Sequence, residues 1–482
     1  MIDLYYKSHL FDAPHFFDSF CIYIEKDRAP EKQFYLPRRK QLLPCAEALQ
    51  DLEDGKIELL GISEPPGVGK TTLAEFFLAW TVGRNPFLPN LIGSHNNSFL
   101  GGMYGEMLRI LDPVGEYKWV DVFPGLSVIA TNAKDMMIGV GYERSDDMRF
   151  KTLEFSSIGS GNAGKVRAMN ILYCDDLVDG IETAMSIDRL DKLWQMYHTD
   201  LRQRKVGTRA KELHIATRWS LHDVLGRLER EYEGDPTARF IRFPALDEND
   251  ESRFDYPYGL GYTTDALHKQ RDMMDEPSFL AVFQQQPIER EGQLYDPTEL
   301  RRYFELPEGE PDAVLAVCDT KTTGADYCVL PVAYQYGNDF FIEDVVCENY
   351  APDVCETSVV QMLLKHSVQN AQFESNVAGG KMAQVVQQRI DEAGGRTHIT
   401  TKWTQANKET KIVLNAPSVK QHCLFLDTSK YKANSDYGKM MAMLTSMAMI
   451  TTIVYLPDMY FLSNFILLYG EKSLCVVWLL CG

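Results

Sequence analysis

The feature that most restricts the fold of this chain is a glycine-rich segment placed between two regular patterns. The apolar run 57–62 predicts a buried strand, and a helix is predicted over 71–82 because its apolar residues share one face. Between them stands Glu-Pro-Pro-Gly-Val-Gly-Lys-Thr, residues 64–71. A strand, a glycine-rich turn, Gly-Lys-Thr and a helix form the context of a phosphate-binding loop. Glycines let backbone N–H groups converge on phosphates where a Cβ would block the approach.

In such a loop the lysine and the hydroxyl residue have separate tasks. Lys70 is expected to reach the β- and γ-phosphates of a nucleotide, and Thr71 to hold Mg²⁺. Glu64 stands where the usual pattern has its first glycine, and a chance glycine-rich turn is the alternative interpretation. The residues expected to line the loop are Pro66, Gly67, Val68, Gly69, Lys70, Thr71 and Thr72.

A second segment supplies the acids that nucleotide hydrolysis needs. Residues 169–176 predict a buried strand that ends in Asp175 and Asp176. We expect Asp175 to bind Mg²⁺, and Asp176 to orient and deprotonate the attacking water. The alternative is an acidic helix cap.

Two further segments are candidates for nucleotide contacts. The predicted strand 213–217 ends in Thr217, where a side chain could sense the γ-phosphate, and residues 220–223 are expected to cap the following helix. Arg38 and Arg39 lie upstream of the loop, and Arg39 is taken as the candidate for contacting the nucleotide. A packed strand end and a solvated basic turn are the respective alternatives.

The N-terminal half predicts an α/β fold. Apolar runs at 126–130, 170–174, 213–217 and 240–243 alternate with helical segments, a pattern typical of a mostly parallel sheet with helices on both faces. Residues 1–55 predict an irregular, partly helical lead-in. We expect a first domain over 1–250, a linker over 251–295 with a helical connector at 264–286, a second domain over 296–460, and an atypical apolar tail over 461–482.

In the second half, acids stand at the ends of predicted strands. A buried strand over 313–318 runs into Asp319, Asp326 begins the next strand, and a short strand over 371–374 ends in Glu374. Carboxylates gathered at one end of a sheet can hold divalent ions for phosphodiester cleavage, although ordinary turn residues are the alternative. Lys402, Lys408 and Lys411 are candidates for contacts with the DNA backbone, or are solvated charges.

Composition limits these interpretations only in part. The chain has 49 basic and 68 acidic residues, and a net charge of −19 would ordinarily disfavour nucleic acid, but metal sites need carboxylates. Ten cysteines without CxxC pairs favour a reducing cytoplasm. The uncharged stretch 440–457 reaches the minimum length of a membrane span, but its serines and threonines lower the hydrophobicity, so no membrane association is expected.

Taken in order, these motifs resemble those of the large subunit of a tailed-bacteriophage terminase over about residues 30–440. The resemblance implies a P-loop NTPase domain followed by an RNase H-like α/β nuclease domain. It implies ATP and Mg²⁺, or Mn²⁺ at the nuclease site, with Asp319, Asp326 and Glu374 as metal ligands. The implied partners are viral double-stranded DNA, a portal protein, a small terminase subunit and further copies in a ring. The implied location is the host cytoplasm, with transient docking on the procapsid.

The C-terminus departs from this family pattern. The family has an acid-rich motif where this chain has Val-Tyr-Leu-Pro-Asp at 454–458, so Tyr455 and Leu456 replace expected acids and Asp458 is the candidate for the last catalytic carboxylate. Two alternatives stay open. One is a helicase-like or other DNA-translocating ATPase whose second domain only binds a partner, and the other is a non-catalytic assembly protein.

Overall fold

The computed structural model describes residues 2–160, 167–288, 295–319, 327–374, 379–402 and 408–446. The chain divides into two compact units, the first formed by Met1–Arg271 and Glu276–Glu289 and the second by Asp272–Asp275 and Arg290–Gly482. Most of the segment predicted as a linker therefore belongs to the first unit. The domain limits predicted after residues 250, 295 and 460 stay predictions.

The first unit contains a large sheet with helices around it. Its helices are α1 (Ile2–Asp12), α2 (Phe17–Ile24), α3 (Tyr35–Glu53), α4 (Lys70–Arg84), α5 (Asn97–Leu111), α6 (Trp119–Val122), α7 (Ile181–Ala184), α8 (Ile187–Met196), α9 (Val224–Glu231), α10 (Thr264–Met273) and α11 (Glu276–Val282). The last two residues of α10 belong to the second unit. Its strands are β1 (Leu59–Ser63), β2 (Asn90–Ser94), β3 (Ser127–Asn132), β4 (Met137–Gly141), β5 (Leu153–Ser157), β6 (Ile171–Asp175), β7 (Lys211–Ala216), β8 (Ala238–Arg242), β9 (Asp255–Tyr256) and β10 (Leu260–Gly261).

The large sheet has the order β3-β4-β5-β2-β6-β7-β1-β8. The six strands β5, β2, β6, β7, β1 and β8 run parallel to one another, whereas β4 pairs antiparallel with β3 and β5. The predicted mostly parallel sheet is confirmed. Strand β7 separates β1 from β6, so the loop after β1 and the acids after β6 lie at the same edge of the sheet, one strand apart.

Helices cover both faces of this sheet, as predicted. Successive strand residues point to opposite faces, so Leu60 packs in the core formed with α2 to α5, while Leu59 packs in the core formed with α8 and α9. The lead-in, predicted as irregular and partly helical, contains three helices within residues 2–53, and Phe17, Tyr35 and Leu49 are completely buried. The lead-in is therefore part of the core.

The second unit is a smaller α/β layer structure. Its strands are β11 (Arg302–Tyr303), β12 (Ala313–Cys318), β13 (Cys328–Tyr336), β14 (Asp339–Glu348), β15 (Asn370–Glu374), β16 (His398–Lys402) and β17 (Cys423–Leu426). Its helices are α12 (Pro352–Lys365), α13 (Gly379–Glu392), α14 (Lys408–His422) and α15 (Asp436–Ser446).

The sheet of the second unit has the order β11-β17-β14-β13-β12-β15-β16. Strand β13 is antiparallel to β12 and β14, and the other neighbouring pairs are parallel. Five of these strands, in the order β14-β13-β12-β15-β16, form the sheet of an RNase H-like fold. In this fold, the second strand along the chain, here β13, runs opposite to the other four. Within the described residues, no helix has the length and apolar character needed to cross a membrane.

Candidate functional site

The loop between β1 and α4 has the backbone that its glycines predict. Gly67 has φ 75° and Gly69 has φ 115°, values that side-chain-bearing residues rarely adopt. A Cβ on Gly69 would also lie 2.5 Å from Cε2 of Phe34, so this position excludes any larger residue without rearrangement. Helix α4 begins at Lys70, which turns the N–H groups of its first turn towards the loop. Pro66, Val68, Thr71 and Thr72 complete this turn and the first turn of the helix.

Lys70 connects the loop to the neighbouring strands. Its side chain is only 6% exposed, and its Nζ donates a hydrogen bond of 2.8 Å to Oγ1 of Thr217. The same Nζ lies 3.5 Å from Oδ2 of Asp176. Thr217 follows β7 and Asp176 follows β6, so the structure brings together three residues from segments that are far apart in the sequence.

The acid pair differs in burial and in partners. Asp175 is the last residue of β6 and is completely buried, and the hydroxyl of Tyr173 donates to its Oδ2. Asp176 has φ 38°, and its Oδ1 accepts a hydrogen bond of 2.7 Å from the N–H of Thr217. The next helix, α7, begins only at Ile181, so the acid pair does not cap a helix and that alternative is excluded.

Burial dominates the electrostatics of Asp175. Burial and the adjacent charge of Asp176 raise the pKa of Asp175, while Tyr173, Lys70 and the neighbouring Thr71 hydroxyl act in the opposite direction. Its Oδ1 is buried and has no hydrogen-bond partner among the described residues. A buried carboxylate oxygen beside a threonine hydroxyl is a suitable donor set for Mg²⁺, so the residues fit the metal that a nucleotide would bring.

Sequence reasoning missed one acid beside the loop and noted another only as a departure from the usual glycine pattern. Glu75 of α4 is buried, and burial together with the charges of Glu106 and Asp175 raises its pKa to about 9. Its position four residues after Thr71, on the same helix face, was the available signal. Glu64 is also buried, and burial raises its pKa to about 7, although Cys45 donates a hydrogen bond to its Oε1.

The two arginines upstream of the loop have different environments. Arg38 lies beside Gly69, with its guanidinium 5.1 Å from the ring centre of Phe34 and 5.2 Å from that of Tyr256. Arg39 instead pairs with Asp18 at 2.8 Å. Consecutive residues of a helix point about 100° apart, so only one of the two can face the loop. The predicted nucleotide contact of Arg39 stays a prediction.

The segment after β7 is held by buried ion pairs. Arg218 is 1% exposed, its Nε lies 3.0 Å from Asp223, and its Nη1 lies 2.8 Å from Glu229. Asp223 also caps α9, because its Oδ1 accepts a hydrogen bond of 2.7 Å from the N–H of Gly226. The predicted cap is therefore confirmed, and the side chains of Arg218 and Asp223 tie this segment to α9.

In the second unit, strand register brings two acids side by side. Cys318 of β12 is paired with Phe373 of β15 in parallel strands, so the next residues, Asp319 and Glu374, are also neighbours. Adjacent strands lie about 4.8 Å apart. Asp319 is 4% exposed and Glu374 8%. Glu374 is in turn paired with Lys402 of β16, so two acids and a lysine form one row across three strands.

The other predicted members of this site are outside the described part of the chain. Asp326 and Asp458 lie outside the described residues, as do the side chains of Lys408 and Lys411. Across the described ranges, no group of three or more histidine, cysteine, aspartate or glutamate side chains is arranged to hold a metal ion. Asp319 and Glu374 provide hard oxygen ligands, which fit Mg²⁺ or Mn²⁺ chemistry, and two carboxylates are fewer than a complete site requires.

The geometry of the first unit defines a P-loop NTPase fold. The strand order β8-β1-β7-β6-β2, the glycine loop after β1 and the acids after β6 are its essential elements. No family model matches the sequence, and no curated protein matches it.

Solved structures similar to this chain include large terminases of bacterial viruses. A large terminase from a thermophilic bacteriophage has 10% identity and a TM-score of 0.44, with 86% of this chain and 91% of that chain covered. The same terminase in complex with ATP-γ-S has 9% identity and a TM-score of 0.44, covering 79% and 86%. A mutant nuclease domain of the large terminase subunit of bacterial virus Sf6, with manganese and β-thujaplicinol, has 10% identity and a TM-score of 0.23, covering 28% and 72%. With TM-scores below 0.5, these likenesses do not assign the chain to a family.

Proposed function

We propose that the first unit hydrolyses ATP and the second unit cuts DNA with divalent metal ions, as the large subunit of a phage terminase does. The observation that carries the proposal is the cluster of Lys70, Thr217 and Asp176 at the glycine loop. Three polar groups from the segments that follow β1, β6 and β7 converge where a helix N-terminus favours phosphate.

For ATP hydrolysis, each residue at the loop has a distinct task. Lys70 exchanges its contacts with Thr217 and Asp176 for the β- and γ-phosphates, because a multiply charged anion attracts its ammonium more strongly. Asp176 is then free to orient the attacking water and accept its proton. Thr71 and Asp175 would hold Mg²⁺, which neutralises charge on the phosphates. Arg39 and Thr72 are retained as proposed nucleotide contacts.

For DNA cleavage, the acids of the second unit are the proposed metal ligands. Asp319 and Glu374 lie at adjacent strand ends, so their carboxylates would hold a divalent ion, which would supply activation of water and stabilisation of the leaving oxygen. Asp326 is proposed as a further ligand and Asp458 as the last catalytic carboxylate. Lys402 lies next to Glu374 in the register, where an ammonium can contact a phosphate of the bound strand.

The biological setting follows from the same proposal. The protein would move viral double-stranded DNA into a procapsid, as a ring of copies on the portal protein, after a small terminase subunit has selected the DNA. It would act in the host cytoplasm and dock transiently on the procapsid. The second candidate function is a DNA-translocating, helicase-like ATPase with a non-catalytic second unit, and the adjacent acids at 319 and 374 favour a nuclease instead.

Two assays on the purified full chain test the proposal. Phosphate release from ATP and Mg²⁺ is measured with and without double-stranded DNA, and nicking of supercoiled plasmid is measured with Mn²⁺, with Mg²⁺ and with EDTA. We expect ATP hydrolysis and metal-dependent nicking in the same preparation. Hydrolysis without nicking under any metal supports the helicase-like alternative, and absence of hydrolysis contradicts the proposal.

A further inference from the structure

A buried glutamine lies at the end of the segment that follows α11. Gln285 is completely buried and has φ 56°, an unusual backbone conformation for a residue with a side chain. Its Oε1 accepts a hydrogen bond of 3.2 Å from the N–H of Arg218, and its Nε2 donates one of 2.5 Å to the carbonyl oxygen of Val282. A backbone N–H can only donate, so this contact fixes the orientation of the amide. Both ends of the side chain are therefore occupied by backbone groups.

The N–H bound by Gln285 is one residue from the nucleotide site. Thr217 donates its own N–H to Asp176 and accepts from Lys70 through its hydroxyl, and the next N–H, of Arg218, goes to Gln285. The Arg218 side chain is locked between Asp223 and Glu229. A single peptide unit joins Thr217 to Arg218, so the contact of Lys70 with Thr217 and the contact of Arg218 with Gln285 lie next to each other along the backbone.

A residue just before α10, Tyr262, contacts the glycine loop itself. The hydroxyl of Tyr262 donates a hydrogen bond of 3.0 Å to the carbonyl oxygen of Pro66, and a Cβ on Gly67 would lie 3.3 Å from that hydroxyl. The ring of Tyr262 packs edge-on against Phe283, with ring centres 5.9 Å apart. Tyr262 and Gln285 therefore contact the candidate nucleotide site at two separate points, the loop and the end of β7.

We propose that Gln285 is a positioning residue that detects nucleotide at the loop and conveys its presence to the chain segment leading into the second unit. The inference rests on the proposed nucleotide binding. When the phosphates attract Lys70, its hydrogen bond to Thr217 is lost, and the peptide that links Thr217 to Arg218 relaxes. Gln285 follows the Arg218 N–H, and the chain passes from the first unit to the second only a few residues later.

Hydrogen–deuterium exchange on the full chain tests this inference directly. The backbone N–H groups of Gln284 and Gln286 are bonded to the carbonyl oxygens of Phe279 and Leu280, at 3.2 and 2.8 Å, and serve as reporters. In the wild-type protein, saturating ATP-γ-S with Mg²⁺ is expected to change exchange in peptides covering 284–286 by at least about fivefold. In Gln285→Leu, which lacks the acceptor, this change should disappear although nucleotide still binds.

Two further variants keep the test independent of folding. Gln286→Leu is the matched control, because the side chain of Gln286 is exposed, and it should respond like the wild type. Gln285→Glu keeps an acceptor for the Arg218 N–H and should restore at least part of the response. Thermal unfolding of each variant identifies any loss of the fold.

The outcomes separate this inference from the proposed function. A nucleotide-dependent change at 284–286 that survives in Gln285→Leu overturns the inference, as does wild-type protein that binds nucleotide with no change there. A wild-type chain that binds no ATP-γ-S contradicts the proposed function itself. In steady-state hydrolysis we expect Gln285→Leu to lower kcat about tenfold with KM within about twofold, since the position of Lys70 matters most in the transition state.

Discussion

The two candidate sites of this protein are built in different ways. At the nucleotide site, a continuous loop, a helix start and two neighbouring strand ends make direct contacts, such as Lys70 with Thr217 and Thr217 with Asp176. At the carboxylate site, Asp319 and Glu374 are neighbours only because their strands are in register. At the first site the glycine loop is one continuous segment, 64–71, to which distant strand ends add Thr217 and Asp176, whereas both acids of the second site come from separate strands. We therefore expect the first site to be retained more readily than the second when the rest of the sequence diverges.

The strongest test of this contrast removes the ammonium at the loop. We expect Lys70→Ala to lower ATP hydrolysis about 1000-fold, because the group that contacts the phosphates in the transition state is lost. DNA nicking should be unchanged. Lys56→Ala is the control, since this lysine is largely exposed and pairs only with surface acids. Phosphate release at saturating ATP is the measurement. A residual rate within tenfold of the wild type would contradict the role of Lys70 in binding the phosphates.

The reciprocal change tests the second site. We expect Asp319→Asn to lower Mn²⁺-dependent plasmid nicking roughly 1000-fold, because a carboxylate that holds the metal is worth several kcal/mol in the transition state. ATP hydrolysis should remain. Asp353→Asn, at an exposed position in α12, is the matched control. If nicking continued at the wild-type rate in Asp319→Asn and in Glu374→Gln, these two acids would not be metal ligands, although their strands are in register.

A stability measurement sharpens the comparison between the two units. Glu212 of β7 is completely buried, with His214 Nε2 at 2.8 Å and Lys205 Nζ at 3.3 Å. Burial alone would raise its pKa, but the hydrogen bond and charge of His214, with Lys205 and Tyr197, hold it at about 2. The stabilising contribution is therefore present above pH 4.5 and lost as the pH falls towards 2.

At pH 7, Glu212→Gln should lower the free energy of unfolding by about 3 kcal/mol, because the partly buried Lys205 and Arg202 lose their counter-charge. On heating, ATP hydrolysis should be lost at a lower temperature than in the wild type, with nicking retained to the same temperature. Glu233→Gln, at an exposed position, should change neither temperature. Equal shifts for both activities would mean that the two units unfold together.

The smallest expected effect concerns the acid that replaces the first glycine of the loop. Burial raises the pKa of Glu64 from 4.5 to about 7, so the wild-type protein is fully stabilised below pH 4.5 and loses stability as the pH rises to about 7. Glu64→Gln removes this loss. We expect it to raise the free energy of unfolding by about 2 kcal/mol at pH 8 and to have little effect at pH 4.5. Urea unfolding at both pH values is the measurement, and an equal effect at both would contradict burial as the cause.

Local patterns in the sequence predicted more of the fold than of the sites. The helix over 71–82 and the strand over 313–318 were predicted within two residues of their observed bounds, because the helix has its apolar residues on one face and the strand is a short uninterrupted apolar run. Residues 2–53 were not recognised as three helices, since α2 is buried on nearly all sides and lacks a single apolar face, and α3 contains Pro44 in its interior, where a proline usually indicates a break.

The sites depended on information that spacing does not contain. The sequence predicted the loop and the acid pair, but not that Arg38 lies beside Gly69 while Arg39 pairs with Asp18, since this depends on how α3 is rotated. Gln285 could not be found from its neighbours, because its partner Arg218 is 67 residues away. Contacts of this kind follow from the tertiary fold alone.

The most direct test of the central claim is a crystal structure of the full chain grown with ATP-γ-S and Mg²⁺. The account predicts the triphosphate in the loop over 64–71, with Lys70 Nζ within hydrogen-bond distance of the β- and γ-phosphates and the metal beside Thr71 and Asp175. Nucleotide bound elsewhere, or a triphosphate in the loop with Asp175 and Asp176 turned away from it, would contradict the account.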